Sequence, residues 1–199
     1  MSRQHTGRAT LKPWRVLSRK RLFAFPPRLD VALERVALPD GRVVEEYLQI
    51  EMATYAMIYA ETADRRVLCL RQYKHGPRRV SLTLPAGHVE PGEDAQVAAE
   101  RELLEETGYE AATWCKLGSF SNAGNQGCGE CHVFAAYGAR PVREPQPGDL
   151  EEMQLELLTR AALRTALEKG EIAIIGSALA AALGLADAAR RRSRPPQKR

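Results

Sequence analysis

The first third of the chain alternates in short strand-like runs. WRVLSRKRLFAF (14–25) sets Trp14, Val16, Phe23 and Phe25 among polar residues and stops at Pro26-Pro27. VALERVAL and RVVEEYLQI flank Pro39-Asp40-Gly41, a turn triplet between two β-forming runs, which predicts a hairpin. TYAMIYA (54–60) and RVLCLRQY (66–73) predict two further strands across the polar turn Glu61 to Asp64, and SLTLPAG leads into Gly87. The spacing then changes. Asp94 to Thr107 predicts a helix stopped by Gly108. Strands are expected near Trp114 to Phe120, His132 to Tyr137 and Met153 to Leu158, with a Gly/Asn-rich loop, SNAGNQGCGE, between the first two. Thr159 to Lys169, with an N-cap residue and Gly170 after it, predicts a second helix, and Ser177 to Leu185 a third. Interleaved strands and helices give an α/β or α+β class built on a mixed sheet. No internal repeat is present.

At 199 residues the chain is long enough for one domain with a modest appendage. Its 44% hydrophobic and 27% charged residues exclude collagen, a wholly disordered chain and a disulfide scaffold. The longest apolar run, Ile172 to Ala182, is broken by Gly176 and Ser177 and falls short of the ~18 residues of a membrane span, so no membrane role is expected. The net charge of +4 is unevenly placed. Residues 1–28 hold eight of the 29 Lys and Arg, residues 190–199 hold six, and neither end holds any of the 25 acids. The body between them is therefore net acidic, and nucleic acid is not the expected partner. The tail RRRSRPPQKR reads as a solubilising end. The N-terminus has the Arg-rich composition of a transit peptide, but its strand-like pattern argues against one, and no secretory pattern is present. The cytoplasm is the expected compartment, with Cys69, Cys115, Cys128 and Cys131 as free thiols. Cys128-Gly-Glu-Cys131-His132 matches a haem-attachment pattern and half of a zinc site, but no second ligand pair accompanies it, so it reads as loop leading into HVFAAY.

Candidate chemistry concentrates in the first helix. At ~100° per residue, with Glu102 at zero, Glu105 lies near −60° and Glu106 near +40°, so three carboxylates share one face. On the same count Leu103, Leu104 and Val97 fall on the other side and are expected to anchor the helix. Such crowding repels itself. Clustered hard oxygen ligands suit Mg²⁺ or Mn²⁺, whose charge reverses that repulsion. Glu93 can reach the same face from the preceding loop, and Arg101 can orient the carboxylates by bidentate pairing. The bare pattern also fits a solvated acidic helix face.

The spacing around it resembles the signature of the Nudix hydrolases, G-x(5)-E-x(7)-R-E-U-x-E-E-x-G-U, with U a bulky aliphatic residue. Gly87, Glu93, Arg101, Glu102, Leu103, Glu105, Glu106 and Gly108 fall on it, and Tyr109 stands at the last position. The resemblance implies the Nudix fold, an α/β/α sandwich around a mixed sheet, and metal-dependent hydrolysis of a nucleoside diphosphate linked to another group. LPAG (84–87) before a Pro-Gly-Glu turn, the strand-rich N-terminal section, and RQY (71–73) followed by Lys74 resemble the ADP-ribose and nucleotide-sugar pyrophosphatase branch. That likeness implies a small N-terminal β sub-domain (12–50) that packs across a homodimer and stacks Trp14 and Tyr47 on the base. A catalytic domain (51–187) follows, and disordered basic ends (1–11 and 188–199) flank the two. It further implies that Glu102, Glu105 and Glu106, with the carbonyl of Ala86, hold the Mg²⁺ or Mn²⁺. Arg71, Lys74 and Glu93 are expected to contact substrate. Glu151, with Glu152 next in line, is expected to be the base from the acidic loop before a late strand. ADP-ribose-preferring members usually carry a proline about fifteen residues after the signature. Here Gly124 falls there, which keeps GDP-mannose or UDP-glucose beside ADP-ribose. Two other readings remain: a hydrolase of RNA 5′ ends or dinucleoside polyphosphates, which predicts steep salt dependence, and a non-catalytic ADP-ribose sensor.

Overall fold

A computed structural model of the protein describes residues 11–146 and 152–192. The chain divides into two compact units, Met1–Met52 with Ala123–Cys128, and Ala53–Asn122 with Gly129–Arg199. The segment 123–128, expected in the catalytic domain, thus belongs with the N-terminal strands.

The first unit is an antiparallel meander of β1 (Arg15–Phe25), β2 (Leu29–Ala37) and β3 (Val43–Met52). The predicted hairpin joins β2 and β3, and Gly41 adopts φ 90°, a left-handed conformation in which a side chain would be strained. On β1, Val16, Leu22, Phe23 and Phe25 are all exposed, an apolar strand with little cover from its own unit.

The second unit is a mixed sheet covered on both faces. Its strands are β4 (Tyr55–Thr62), β5 (Arg66–Lys74), β6 (Arg79–Thr83), β7 (Ala86–His88), β8 (Tyr109–Glu110), β9 (Thr113–Ala123), β10 (Gly127–Pro141) and β11 (Met153–Thr159), with the end of β9 and the start of β10, residues 123 and 127–128, counted in the first unit. β10 runs parallel to β4, whereas β5, β6, β7 and β11 pair antiparallel. The helices are α1 (Ala95–Thr107), α2 (Arg160–Glu168) and α3 (Ile175–Arg192). Alternation along β4 sorts its side chains between two cores. Ala56, Ile58 and Ala60 meet Ala99 and Leu103 of α1, while Met57 and Tyr59 meet Leu163 and Ala166 of α2 and Ala180 and Ala181 of α3. This is the expected α/β/α sandwich.

Three expectations change. The loop SNAGNQGCGE is largely strand: β9 continues to Ala123 and β10 starts at Gly127, leaving 124–126 as the turn. Gly127, Cys128 and Gly129 all have positive φ, so the glycines admit an irregular strand rather than an open loop. Cys128 and Cys131 consequently lie within β10, and all four cysteines are free. Helix α3 runs on to Arg192, so residues 188–192, expected in the tail, are helical. The remaining expected disordered residues, 1–10 and 193–199, lie outside the described residues, as does Glu151. Among the described residues no helix is long and apolar enough to cross a membrane.

Candidate active site

Helix α1 is held at both ends. The Asp94 carboxylate accepts from the backbone N–H groups of Gln96 (2.8 Å) and Val97 (3.3 Å). At the other end Gly108 turns left-handed at φ 73° and donates its N–H to Leu104 O. The buried residues are Ala98, Ala99, Leu103, Glu106 and Thr107. Val97 is 55% exposed, contrary to the expected anchoring role. The reason is steric. Ala99 and Leu103, one turn apart, seat the helix on Ala56, Ile58 and Ala60 of β4, which rotates Val97 outward and carries Glu102 and Glu106 toward β7.

Glu106 is only 8% exposed, and its Oε2 accepts the backbone N–H of Ala86 at 2.9 Å. The Glu102 carboxylate lies against the backbone of Gly87, where any Cβ would overlap it. Gly87 of the signature is therefore a steric requirement for this approach. Arg101 ties the acidic groups together. Its Nη1 donates to Glu102 Oε1 (2.7 Å) and Glu105 Oε2 (3.3 Å), its Nε and Nη2 grip both oxygens of Glu93 (3.1 and 3.2 Å), and Nη2 also reaches His88 O (2.9 Å). These partners raise the guanidinium pKa further, the Glu93 bond foremost. In return, Arg101 and the N–H of Glu90 hold the Glu93 carboxyl below its usual range.

Glu102, Glu106, Ala86, Gly87, Arg101 and Lys74 line one pocket of about 420 Å³, together with Tyr55, Gln72, Thr83, His88, Glu90 and Ser177. Tyr55 donates to Asn122 Oδ1 at 2.8 Å, and burial raises its phenol pKa, so it stays a neutral donor. Of the expected site residues, Glu93 and Glu105 do not line this pocket and are turned onto Arg101 instead. Arg71 points from the opposite side of β5, into a bidentate pair with Glu156 and within 3.7 Å of Glu171. Trp14 and Tyr47 belong to the first unit, with rings edge-to-face at 5.4 Å and Trp14 51% exposed. Sequence reasoning missed Gln72, Thr83, Tyr55 and Ser177. The one available signal was Gln72, an amide in an otherwise apolar strand.

The three helix carboxylates do not form a ready-made cage. Among the described residues no three His, Cys, Asp or Glu side chains converge to hold a metal ion. The donor set nonetheless fits a hard divalent cation: two carboxylates and a backbone carbonyl, all oxygen, on one wall of one pocket. Mg²⁺ is commonly held by one or two carboxylates plus substrate phosphates, with water filling the rest.

The chain is an α/β/α sandwich that presents paired helix carboxylates beside a glycine-framed strand. The profile of the NUDIX domain matches residues 51–175, and the chain belongs to that family. It is 29% identical over 124 residues to an ADP-ribose pyrophosphatase of Bacillus subtilis (strain 168), covering 62% of this chain and 66% of that protein. A methanol dehydrogenase activator of Bacillus methanolicus is 30% identical over 134 residues, 64% of this chain and 72% of that one. An ADP-sugar pyrophosphatase of Mus musculus is 34% identical over 110 residues, 51% of this chain and 49% of the mouse protein. A crystal structure described as an ADP compounds hydrolase superposes with a TM-score of 0.76 at 19% identity, over 94% of this chain and 99% of that one. At that identity the likeness speaks for the fold.

Proposed function

We propose that the protein hydrolyses the diphosphate of ADP-ribose, giving AMP and ribose 5-phosphate, or of a related nucleoside diphosphate sugar, with Mg²⁺ or Mn²⁺. The observation that carries this reading is the pairing of Glu102 and Glu106 on one pocket wall beside Ala86 and Gly87. The names of the bacterial and mouse pyrophosphatases support the substrate class.

Glu102, Glu106 and the carbonyl of Ala86 would hold the cation, which when bound supplies charge neutralisation for the diphosphate and acidifies a water. Arg101 keeps Glu102 and Glu105 oriented while Glu93 anchors Arg101 to the loop. Lys74 brings a positive charge to the same pocket for a phosphate oxygen. Glu151 is assigned as the base that takes the water's proton. Trp14 and Tyr47 are assigned to stacking on the base, for which the exposed indole face suits. Exposed apolar side chains of β1 support a homodimer built through the first unit. The four free thiols support a cytoplasmic setting.

A substrate panel tests the reading. ADP-ribose, ADP-glucose, GDP-mannose and UDP-glucose, a dinucleoside tetraphosphate and triphosphorylated RNA are each supplied with Mg²⁺ or Mn²⁺. A nucleoside diphosphate sugar is expected to give the highest kcat/KM. A preference for RNA or the tetraphosphate would reject it.

A further inference from the structure

Gln72 is 4% exposed and lines the pocket that holds Glu102 and Glu106. Its amide orientation is dictated by its neighbour. Thr83 Oγ1 donates to Leu70 O at 3.2 Å, so toward Gln72 it accepts, and Gln72 Nε2 donates to it at 2.8 Å. The other end of the amide, Oε1, is buried and has no hydrogen-bond partner among the described residues. A buried acceptor left unpaired is costly to a fold, and native structures rarely carry one without a purpose.

We infer that Gln72, locked by Thr83, is the specificity-determining acceptor for a hydroxyl of the substrate's sugar. The inference rests on the proposed reading of the pocket. A group that meets Gln72 while its diphosphate lies against Glu102 and Glu106 in the same 420 Å³ cavity is the group attached directly to that diphosphate. In a nucleoside diphosphate sugar the group on the side away from the nucleoside is a sugar, and it is this sugar that meets Gln72. Its hydroxyls are neutral donors, which match an amide carbonyl. The locked amide cannot flip to offer its N–H₂ without stranding Thr83, so the subsite selects donors over acceptors.

The test compares ADP-ribose with the methyl ester of ADP, which presents no hydroxyl beyond the diphosphate, in wild type, Gln72→Leu and Gln72→Met. The ratio of kcat/KM for the sugar to that for the ester is expected to fall about tenfold in both variants, the scale of one neutral hydrogen bond. Melting temperature should stay level or rise, because the variants remove an unpaired buried acceptor. An unchanged ratio in active, folded variants overturns the subsite while leaving the proposed function standing. A lowered melting temperature with equal losses on both substrates assigns Gln72 a structural role and likewise overturns it. A wild-type protein that cleaves no nucleoside diphosphate sugar removes the functional reading and this inference with it.

Discussion

At the scale of single residues, Glu106 and Arg101 carry the sharpest expectations. Glu106→Gln keeps an acceptor oxygen for the Ala86 N–H and keeps the side-chain volume, but deletes the charge. Turnover should fall by orders of magnitude while the melting temperature holds or rises slightly, because a buried carboxylate has been neutralised. Steady-state kinetics beside a thermal melt checks both halves. Glu93 gives a pH effect with a definite sign. Arg101 and the Glu90 N–H hold its folded carboxyl below the usual value, so its ionised form stabilises the fold above the unfolded pKa of about 4.3. That contribution disappears as pH falls through the lower, folded value. Arg101→Leu should therefore flatten the loss of stability between about pH 5 and pH 3, as read by urea denaturation at stepped pH. An equally steep loss in the variant would show that Arg101 does not set the Glu93 titration.

At the scale of elements, α3 is seated by a stripe of small residues one turn apart: Gly176, Ala180, Gly184 and Ala188. A Cβ at Gly184 would overlap the ring of Tyr59, a fully buried residue of β4 whose hydroxyl donates to Glu61. Gly184→Ala gains helix propensity of up to ~1 kcal/mol, yet overpacking against a fixed aromatic ring costs about 1–3 kcal/mol. The net expectation is a lower melting temperature. A higher one would mean that α3 shifts freely on the sheet. The same elements show what the sequence can and cannot disclose. Asp94 and Gly108 bracket α1 because capping chemistry is local, and Pro39-Asp40-Gly41 marks the β2–β3 hairpin for the same reason. Val97 was misplaced because an angular count gives faces of a helix but not which face a neighbouring strand accepts. That choice came from Ala56 and Ala60 of β4, some forty residues away in sequence. The glycines of 124–129 read as loop by composition, but three positive-φ residues there serve a bent strand. The Gln72–Thr83 pair was invisible for a related reason: it joins two strands whose register is set by pairing, Gln72 opposite Ser81 and Leu70 opposite Thr83.

At the scale of the whole molecule, the expectations concern assembly and activity. The exposed Leu22, Phe23 and Phe25 of β1 should be covered by a second copy, so sedimentation should give twice the chain mass and Phe23→Glu should give the monomer. A wild-type monomer would reject the homodimer. The central claim is narrower: a carboxylate-lined wall of one pocket supports metal-dependent cleavage of a diphosphate. Chromatography of ADP-ribose digests, with Mg²⁺ titrated against a chelator, tests it most directly. The account predicts AMP and ribose 5-phosphate in equal amounts with Mg²⁺, and neither once the chelator is in excess. Cleavage indifferent to the chelator, or every nucleoside diphosphate sugar left intact at every Mg²⁺ and Mn²⁺ concentration, would contradict it.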